Sequence, residues 1–362
     1  MRTVCFLVTY LGSGGAENYL LRYIQHEKSI RPIVICKGMT KGVLEDDYLA
    51  ANATIFTIPS GYFNVVSWFR AYKIFKKYQP DAMCDFTGNF AGIFIVLAKL
   101  AGVKKRIAFY RRSSDAFKPS FLNKSYDKFV NKLVARFGTN ILANSQTGLD
   151  YFHPCKHGTD SRFQVIYNGL DEEKFVSDVS REAMRDELGI PQEAFVVGHS
   201  GRLNVAKNHP TMLKVAERLV EKHPNIYFLF CGKDTEQLLE QTTSVRLKER
   251  LVLLGYRSDV NRVLKALDLY FFPSITEGQP NALIEAMITG VPFVASNIGA
   301  IKEVVPPQMS NYIFDPYDIS GFEEKIESLY LKRYDLGKLS CSDYAIKQFK
   351  AETNFSKLTE LL

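Results

Sequence analysis

Short apolar segments alternate with amphipathic segments along nearly the whole chain, and this alternation constrains the fold more than any other feature. The apolar segments are rich in Val, Ile and Phe, as buried strands are, and the segments between them repeat apolar residues at helical spacing. Such an alternation predicts parallel sheets in the α/β class. The predicted strands cover residues 2–9, 33–36, 55–58, 82–85, 106–110, 141–144, 165–167, 195–198, 226–231, 251–254, 269–272, 293–295 and 312–314.

The chain of 362 residues is long enough for two domains with separate cores. The first series of strands ends at Asn168 and Gly169, a turn signal, and a polar segment over residues 171–187 predicts a linker and an approach helix. We therefore predict one Rossmann-like domain over residues 1–168 and a second over residues 169–343, followed by a closing segment over residues 344–362. Further helices are predicted over residues 16–27, 63–78, 90–101, 121–137 and 281–289.

Composition is that of an ordinary soluble globular protein, with 46% hydrophobic and 23% charged residues. No signal peptide is expected after Met1, and the longest apolar run, residues 90–100, is shorter than the roughly 20 residues that span a bilayer. The six cysteines are scattered singly, without a C-x-x-C pair. This pattern predicts reduced thiols in a cytosolic protein, without a disulfide framework or a zinc site.

The most specific motif consists of two glutamates, Glu277 and Glu285, with seven residues between them. Glu277 follows the predicted strand 269–272 in a Gly/Pro loop, and Glu285 lies in the next helix, which is predicted to start at Pro280. Ligands of α/β proteins bind at this carboxyl edge of the sheet. Two acids there can bind hydroxyl groups while the helix amides hold a phosphate, and a nucleotide-sugar presents both kinds of group.

Two cations follow the predicted strand 195–198, and Pro210 marks the start of the next helix. Arg202 offers a planar fork and Lys207 a point charge, so that the pair beside a helix N-terminus would cradle a diphosphate. Each alone would more often be a surface charge. Because no histidine or carboxylate pair has metal-ligand spacing, we expect neither a metal nor another cofactor, with protein cations neutralising the diphosphate.

A glycine-rich turn over residues 12–17 follows the first predicted strand. It is only superficially similar to the dinucleotide fingerprint, because Glu17 occupies the third glycine position, and no Walker A sequence is present. The favoured interpretation is a turn whose amides approach the phosphate of a ligand. A merely tight turn is the alternative.

The whole chain has a net charge of +7, and its positive charge gathers in the first half. The loop after strand 106–110 carries Arg111, which predicts acceptor contacts or catalytic support, with an ordinary basic loop as the alternative. The helix over residues 121–137 has a stripe of four cations, and residues 68–77 mix aromatic and basic side chains. Basic amphipathic helices suit an anionic membrane, with a solvated basic face as the alternative. Nucleic acid is not expected, since no recognition motif accompanies the charge.

Together these residues resemble the large family of retaining, nucleotide-sugar-dependent glycosyltransferases of the GT-B fold, which includes bacterial capsule, exopolysaccharide and O-antigen enzymes. The resemblance runs through nearly the whole chain. It implies two Rossmann-like domains that face each other across a cleft, and a C-terminal helix over residues 344–362 that crosses back to the first domain. The two-glutamate motif is the specific match, and the weaker ones are Gly14-Gly-Ala-Glu17, Ala143-Asn-Ser145, Asn168-Gly-Leu-Asp171, Gly201-Arg202, Lys207-Asn208 and residues 254–259.

The resemblance also implies a role for each site residue. Arg202 and Lys207 would hold the donor diphosphate, and Glu277 would bind sugar hydroxyls. Glu285 would bind the ribose, and the backbone of Tyr256 and Arg257 would contact the base. Sugar and phosphate would be contacted by the amides of Gly278, Gln279, Asn281, Ala282 and Leu283. The diphosphate would also be contacted from across the cleft by Gly14 and Gly15. Many relatives carry a histidine near the donor sugar, but residues 109–112 contain none, and Arg111 is the candidate substitute.

Motifs and resemblance predict a metal-independent enzyme that transfers a sugar, with retention, from a UDP- or GDP-sugar to a lipid-linked or polysaccharide acceptor in cell-surface glycan synthesis. The predicted location is the cytoplasm, with contact at the inner face of an anionic membrane as a further hypothesis. Two alternatives stay open. One is a GT-B-like partner protein without transferase activity, suggested by the missing histidine, and the other is a GT-B epimerase of sugar nucleotides.

Overall fold

The computed structural model describes residues 1–12, 14–38, 42–59, 64–114, 121–156, 158–175 and 179–362, with the backbone alone at residues 89 and 121–124. The chain divides into two compact units. The first unit consists of Met1–Gly169 and Ala351–Leu362, and the second unit of Leu170–Lys350. The predicted boundary at residue 168 lies next to this division.

Each unit contains a sheet whose strands are all parallel. The strand order is β3-β2-β1-β4-β5-β6-β7 in the first unit and β10-β9-β8-β11-β12-β13 in the second. The strands are β1 (Arg2–Val8), β2 (Ile30–Cys36), β3 (Thr54–Thr57), β4 (Ala82–Asp85), β5 (Lys105–Tyr110), β6 (Asn140–Ala143), β7 (Phe163–Val165), β8 (Phe195–Ser200), β9 (Ile226–Cys231), β10 (Leu251–Leu253), β11 (Leu269–Phe272), β12 (Phe293–Ser296) and β13 (Ile313–Phe314).

Helices connect the strands. They are α1 (Gly15–His26), α2 (Glu45–Ala50), α3 (Val65–Tyr78), α4 (Gly92–Ala101), α5 (Phe121–Phe137), α6 (Gln146–Phe152), α7 (Arg181–Glu187), α8 (His209–Lys222), α9 (Leu238–Gln241), α10 (Val245–Arg250), α11 (Val260–Val263), α12 (Asn281–Ile288), α13 (Gly299–Lys302), α14 (Ile319–Leu331), α15 (Ser342–Phe349) and α16 (Ala351–Leu361). Short 3₁₀ segments cover Gly88–Phe90, Glu172–Phe175, Val205–Lys207, Thr235–Gln237, Leu264–Ala266, Pro307–Tyr312 and Arg333–Leu339.

The central strands are apolar on both faces because helices cover both sides of each sheet. In β1, Phe6 and Val8 pack into one core of the first unit, and Cys5 and Leu7 into the core on the opposite face. This two-sided burial explains why β1 is a continuous apolar run instead of an alternating one.

The strand order reverses at one place in each sheet, between β1 and β4 in the first unit and between β8 and β11 in the second. At such a switch point the connections leave in opposite directions and open a crevice outside the carboxyl ends of the strands, where α/β proteins bind ligands. Both predicted ligand loops of the second unit follow the two strands at its switch point.

The predicted closing helix over residues 344–362 is two helices. Leu170 donates a backbone hydrogen bond to Phe349 (2.8 Å) and pairs with Lys350 as an isolated bridge, which requires extended chain at residue 350. Helix α15 therefore stays with the second unit, while α16 packs into the first. There the Phe355 ring meets Tyr19 and Tyr23 edge-on, with centroids 5.4 and 5.6 Å away.

None of the helices in the described ranges combines the length and the apolar character needed to cross a bilayer. All six cysteines are free, and only Cys155 is exposed.

Candidate functional site

The two charged loops of the second unit meet at its switch point. Because β8 and β11 are parallel neighbours, the loops that follow them leave the same edge of the sheet. The structure brings Lys207 and Glu277 into contact, with Nζ 2.7 Å from Oε1 and with 16% and 12% of their side chains exposed. The Lys207 ammonium also lies 4.7 Å from the centre of the Phe272 ring. An ion pair is thus held at the position where the motif predicts a donor site.

Two asparagines fix the backbone around Lys207. The Asn204 side chain accepts a hydrogen bond from the Lys207 amide (3.0 Å). Asn208 adopts a left-handed conformation with φ 60°, and its side-chain amide donates to the carbonyls of Pro273 (3.1 Å) and Pro316 (2.7 Å). Asparagine tolerates positive φ better than most residues. Asn208 therefore ends the 3₁₀ turn and ties the Lys207 loop to the loop that carries Glu277.

Arg202 is exposed and makes no hydrogen bond or ion pair with any residue in the described part of the chain. It lies beside Gly201, against which Gly232 packs closely, since a Cβ on Gly232 would lie 2.2 Å from the Gly201 carbonyl oxygen. The Gly232 amide donates to the Gly255 carbonyl (2.7 Å). The loops after β8, β9 and β10 therefore form a contiguous row, and Arg202 projects from it as an uncompensated cation.

The amino end of α12 offers fewer amides to a ligand than the sequence predicts. The Asn281 amide donates to the Gln279 carbonyl (2.9 Å), and the Leu283 amide donates to the Pro280 carbonyl (3.1 Å). These two donors are therefore occupied within the chain. The amides of Gly278 and Ala282 donate to no residue of the described ranges. Unpaired amides at a helix start bind anions, so these two are the better candidates.

Glu277 and Glu285 both lie near the hydroxyl of Tyr270, a residue that sequence analysis did not single out. Tyr270 is fully buried, and its hydroxyl bonds the Ser200 amide (3.1 Å) and the Ser200 hydroxyl (2.8 Å). Burial raises the pKa of Tyr270, and the charges of Glu285 and Glu277 act in the same direction. The two motif glutamates therefore lie at the same edge, around one neutral tyrosine.

The predicted base contacts follow β10. Tyr256 is 71% exposed. The Arg257 guanidinium forms two 2.7 Å bonds with Asp259 and a 3.0 Å bond with Glu187, and the Asp259 bonds are the main reason why the pKa of Arg257 is raised. Since the side chain is occupied in this way, only the backbone of Arg257 is available to a base, which is the contact that the resemblance implies.

In the first unit, Gly14 and Gly15 form the amino end of α1, while Ser13 lies outside the described residues. A Cβ on Gly14 would lie 2.4 Å from the Glu17 carboxylate, whereas a Cβ on Gly15 would meet nothing within 4 Å. The glycine at 14 therefore makes room for Glu17, and the space beside Gly15 is open.

Arg111 follows β5 in the first unit. Its guanidinium stacks over Tyr19, 3.9 Å from the ring centre, and lies 5.0 Å from that of Phe109. Within the described chain, its buried Nε and Nη1 have no hydrogen-bond partner. Burial lowers the pKa of Arg111 to about 10, so it remains charged at neutral pH.

A buried polar cluster in the first unit was not predicted. The Lys37 ammonium donates to Asp85 (2.6 Å), Thr87 (2.8 Å) and the Phe90 carbonyl (3.3 Å), which uses all three of its protons. Burial lowers the pKa of Lys37, and the Asp85 charge opposes this effect. The cluster fastens the segment after β4 to the end of β2. No short sequence motif marks it, because its members lie about fifty residues apart.

The described residues include no group of three or more His, Cys, Asp or Glu side chains that could hold a metal ion. His157 lies outside these residues.

Two protein families match the chain, one in each half, and together they cover nearly its whole length. The family "Glycosyltransferase Family 4" matches residues 13–174, and "Glycosyl transferases group 1" matches residues 180–347. Together with the two Rossmann-like sheets, these matches define a glycosyltransferase of the GT-B fold. The group 1 match covers most of the second unit, and the family 4 match covers most of the first.

Relatives of known name point in the same direction. An Escherichia coli UDP-Gal:alpha-D-GlcNAc-diphosphoundecaprenol alpha-1,3-galactosyltransferase is 27% identical, over 80% of this chain and 77% of that protein. The Staphylococcus aureus capsular polysaccharide biosynthesis glycosyltransferase CapH is 26% identical over 84% of both chains. The crystal structure of Anabaena HepE in complex with UDP and glucose has a TM-score of 0.82, with 21% identity and 99% coverage of each chain. The chain thus shares its fold with HepE and resembles bacterial glycosyltransferases in sequence.

Proposed function

We propose that this glycosyltransferase moves a sugar, with retention of the anomeric configuration, from a UDP- or GDP-sugar to a hydroxyl of a lipid-linked or polysaccharide acceptor in cell-surface glycan synthesis. The observation that carries the proposal is the contact between Lys207 and Glu277 (2.7 Å) at the switch point of the second unit. Arg202 lies in the same loop as Lys207 and has no partner among the described residues. This arrangement offers positive charge to a diphosphate and a carboxylate to sugar hydroxyls.

The ion pair suits both roles at once. The Lys207 ammonium has three protons, of which Glu277 takes one, so that the others remain for phosphate oxygens. Glu277 accepts from the lysine through Oε1, and in this proposal its carboxylate also accepts a hydrogen bond from a sugar hydroxyl. In this proposal Glu285 binds the ribose hydroxyls, and the backbone of Tyr256 and Arg257 meets the base.

Catalysis in this proposal is electrostatic. The bond between the anomeric carbon and the diphosphate breaks, the acceptor oxygen bonds to that carbon, and the hydroxyl gives up its proton. Negative charge grows on the departing diphosphate, where Arg202, Lys207 and the amides of Gly278 and Ala282 stabilise it. With these positive groups in place, the transfer proceeds without a metal.

The relatives support a UDP-sugar as donor and a lipid-linked acceptor. The name of the Escherichia coli relative specifies UDP-Gal and an acceptor sugar carried on diphosphoundecaprenol. The Anabaena structure contains UDP and glucose.

Substitution of the site residues tests the proposal. Donor turnover, measured as nucleotide release from a panel of UDP- and GDP-sugars with bacterial membrane lipid, should fall about ten- to a hundredfold in Arg202→Ala and Glu277→Gln, because each loses a charge-assisted hydrogen bond. Arg246→Ala and Glu249→Gln, at exposed positions of α10, are the matched controls. Undiminished turnover in both site variants would reject the site.

Three further measurements on the wild-type protein test the finer claims. An inverted anomeric configuration in the product, read by NMR, would overturn retention. Loss of activity with a chelator would overturn metal independence. Conversion of the donor alone into a second sugar nucleotide would favour the epimerase.

We also propose that the first unit contacts an anionic membrane surface through α3. Its exposed face has large apolar residues near its start and cations towards its end, and the helix contains no acid. Val65, Val66 and Phe69 are 66%, 63% and 56% exposed, too much for core residues. Apolar residues that enter a lipid interface and cations that meet its charge form such a face. The basic residues are Arg70, Lys73, Lys76 and Lys77.

Helix α5 extends this basic surface, because α4 packs against both α3 and α5. Its exposed side carries Lys128, Lys132 and Arg136, with Phe129 54% exposed among them. The predicted cationic stripe of α5 therefore lies on the solvent side, in the same helical layer as the exposed face of α3. The side chain of Lys124 is outside the described residues.

A further inference from the structure

Arg111 is a charged group whose buried donors have no acceptor among the described residues. Its Nε and Nη1 are buried, and no residue in the described part of the chain accepts a hydrogen bond from either. Its guanidinium lies over Tyr19 and near Phe109 and Phe86, at 3.9, 5.0 and 5.9 Å from the ring centres. Aromatic stacking fixes the plane of the fork but leaves its N–H groups unsatisfied.

A buried arginine in the second unit shows what a structural role requires. Arg185 is fully buried, and its guanidinium makes five hydrogen bonds. Four go to the backbone carbonyls of Ala266, Gln192 and Ala194, and one goes to the Asp268 carboxylate at 2.7 Å. Because unsatisfied buried donors are costly, a guanidinium that served packing alone would be expected to be satisfied in this way. Arg111 lacks all of these partners.

The surroundings of Arg111 are positive. Arg22 is close enough to lower the pKa of Arg111, and Glu17 is the acid that opposes it. Glu17 acts in the same way on Arg112, the next residue along the chain, whose pKa burial lowers. Asp127 acts on Arg112 as well. Two acids, Glu17 and Asp127, thus face three arginines, which leaves an excess of positive charge. Arg111 as a whole is only half-buried, although its Nε and Nη1 are buried. A planar fork with excess positive charge around it matches a phosphate group.

We propose that Arg111 binds a phosphate of the acceptor, and that the enzyme thereby selects acceptors whose sugar is carried on a diphosphate. This inference rests on the proposed transferase function. The donor diphosphate already has counter-charges in the second unit, at Arg202 and Lys207, whereas Arg111 belongs to the first. The acceptor named for the Escherichia coli relative carries a diphosphate between sugar and lipid.

Binding of octyl diphosphate in the presence of saturating UDP tests the assignment, with octyl glucoside as the neutral counterpart. Titration calorimetry should give an affinity for octyl diphosphate about tenfold or more lower in Arg111→Gln than in the wild type, and an intermediate value in Arg111→Lys. Arg31→Gln removes the same charge from an exposed position of β2 in the same unit and should bind like the wild type. Octyl glucoside should not distinguish the four proteins.

Other results overturn the assignment. Equal affinity of wild type and Arg111→Gln for octyl diphosphate, or no binding by the wild type, excludes a phosphate site at Arg111. Weaker UDP binding in Arg111→Gln, with unchanged octyl diphosphate binding, places the guanidinium at the donor instead. Melting temperatures identify a misfolded variant. If Arg111→Gln is misfolded, the affinity of Arg111→Lys for octyl diphosphate is compared with that of the wild type instead, because the lysine keeps a cation over Tyr19. Failure of the transferase proposal would give a different result. No donor would then be turned over, while the affinity for octyl diphosphate would still depend on Arg111.

Discussion

Lys207 and Glu277 are held against each other where little water reaches them. Removal of one partner leaves the other charge with poor solvation, which costs more than loss of an exposed pair. A bound diphosphate would bring its negative charge to Lys207 and to Arg202, which has no partner among the described residues. The pair therefore fixes the geometry of the site before the donor arrives, and Arg202 supplies further positive charge to the ligand.

His209, which lies close to the Lys207 charge, makes the free energy of unfolding depend on pH. His209 is fully buried, and burial lowers its pKa from 6.5 to about 4, with the Lys207 charge acting in the same direction. The unfolded chain therefore binds a proton more readily than the folded one, so stability is complete above pH 6.5 and is lost as the pH falls towards 4. At pH 5 the loss from this histidine should reach about 2 kcal/mol.

Urea unfolding of wild type and His209→Gln at pH 8 and pH 5 measures this effect. The wild type should lose more unfolding free energy between the two pH values than the variant, by up to about 2 kcal/mol. Equal losses in the two proteins would show that His209 is not held neutral.

Residues of the site differ in how far the sequence could predict them. Arg202, Lys207 and Glu277 lie close to predicted strand ends and helix starts, so the sequence predicted each of them at the carboxyl edge of a sheet. Gly232 and Tyr270 depend on contacts between loops and strands that are distant in the chain, and neither belongs to a short motif.

Among the helices and strands, the structure differs from the sequence-based prediction mainly at the ends of helices. The amino end of α12 was placed correctly, but local turns occupy the amides of Asn281 and Leu283. The closing helix was predicted as one piece, because its apolar periodicity gives no sign that Lys350 must be extended to pair with Leu170. In both cases hydrogen bonds outside the helix, which periodicity does not encode, decide the outcome.

The exposed face of α3 gives a prediction about membranes. Sedimentation with vesicles of phosphatidylcholine and phosphatidylglycerol should pellet the wild type at low salt, and vesicles of phosphatidylcholine alone should pellet less. Replacement of both Lys73 and Lys77 by Glu should weaken binding more than about tenfold, because each basic residue near an anionic surface contributes about 1 kcal/mol.

Lys214→Glu combined with Lys248→Glu, at exposed positions of α8 and α10 in the second unit, provides the matched control. If both double variants bind as the wild type does, or if the wild type ignores anionic vesicles, the face of α3 is only solvated.

For the whole molecule, alternation of strands and helices predicted parallel α/β units, and the turn signal at Asn168 and Gly169 predicted a boundary next to the division between the two units. The order of strands could not be read in the same way, because alternation is compatible with several orders. What positions the site is the reversal of order between β8 and β11, which places two loops separated by about seventy residues side by side. The resemblance to GT-B enzymes supplied that placement before the structure did.

The central claim is that the diphosphate of the donor is bound by the charges of the second unit. The ratio of the dissociation constants of UMP and UDP, measured by titration calorimetry in wild type and Arg202→Ala, tests it most directly, because the two ligands differ by one phosphate. We predict that the wild type prefers UDP, that Arg202→Ala loses about tenfold or more of this preference, and that Arg246→Ala keeps it. A preference for UDP that is unchanged in Arg202→Ala would contradict the account.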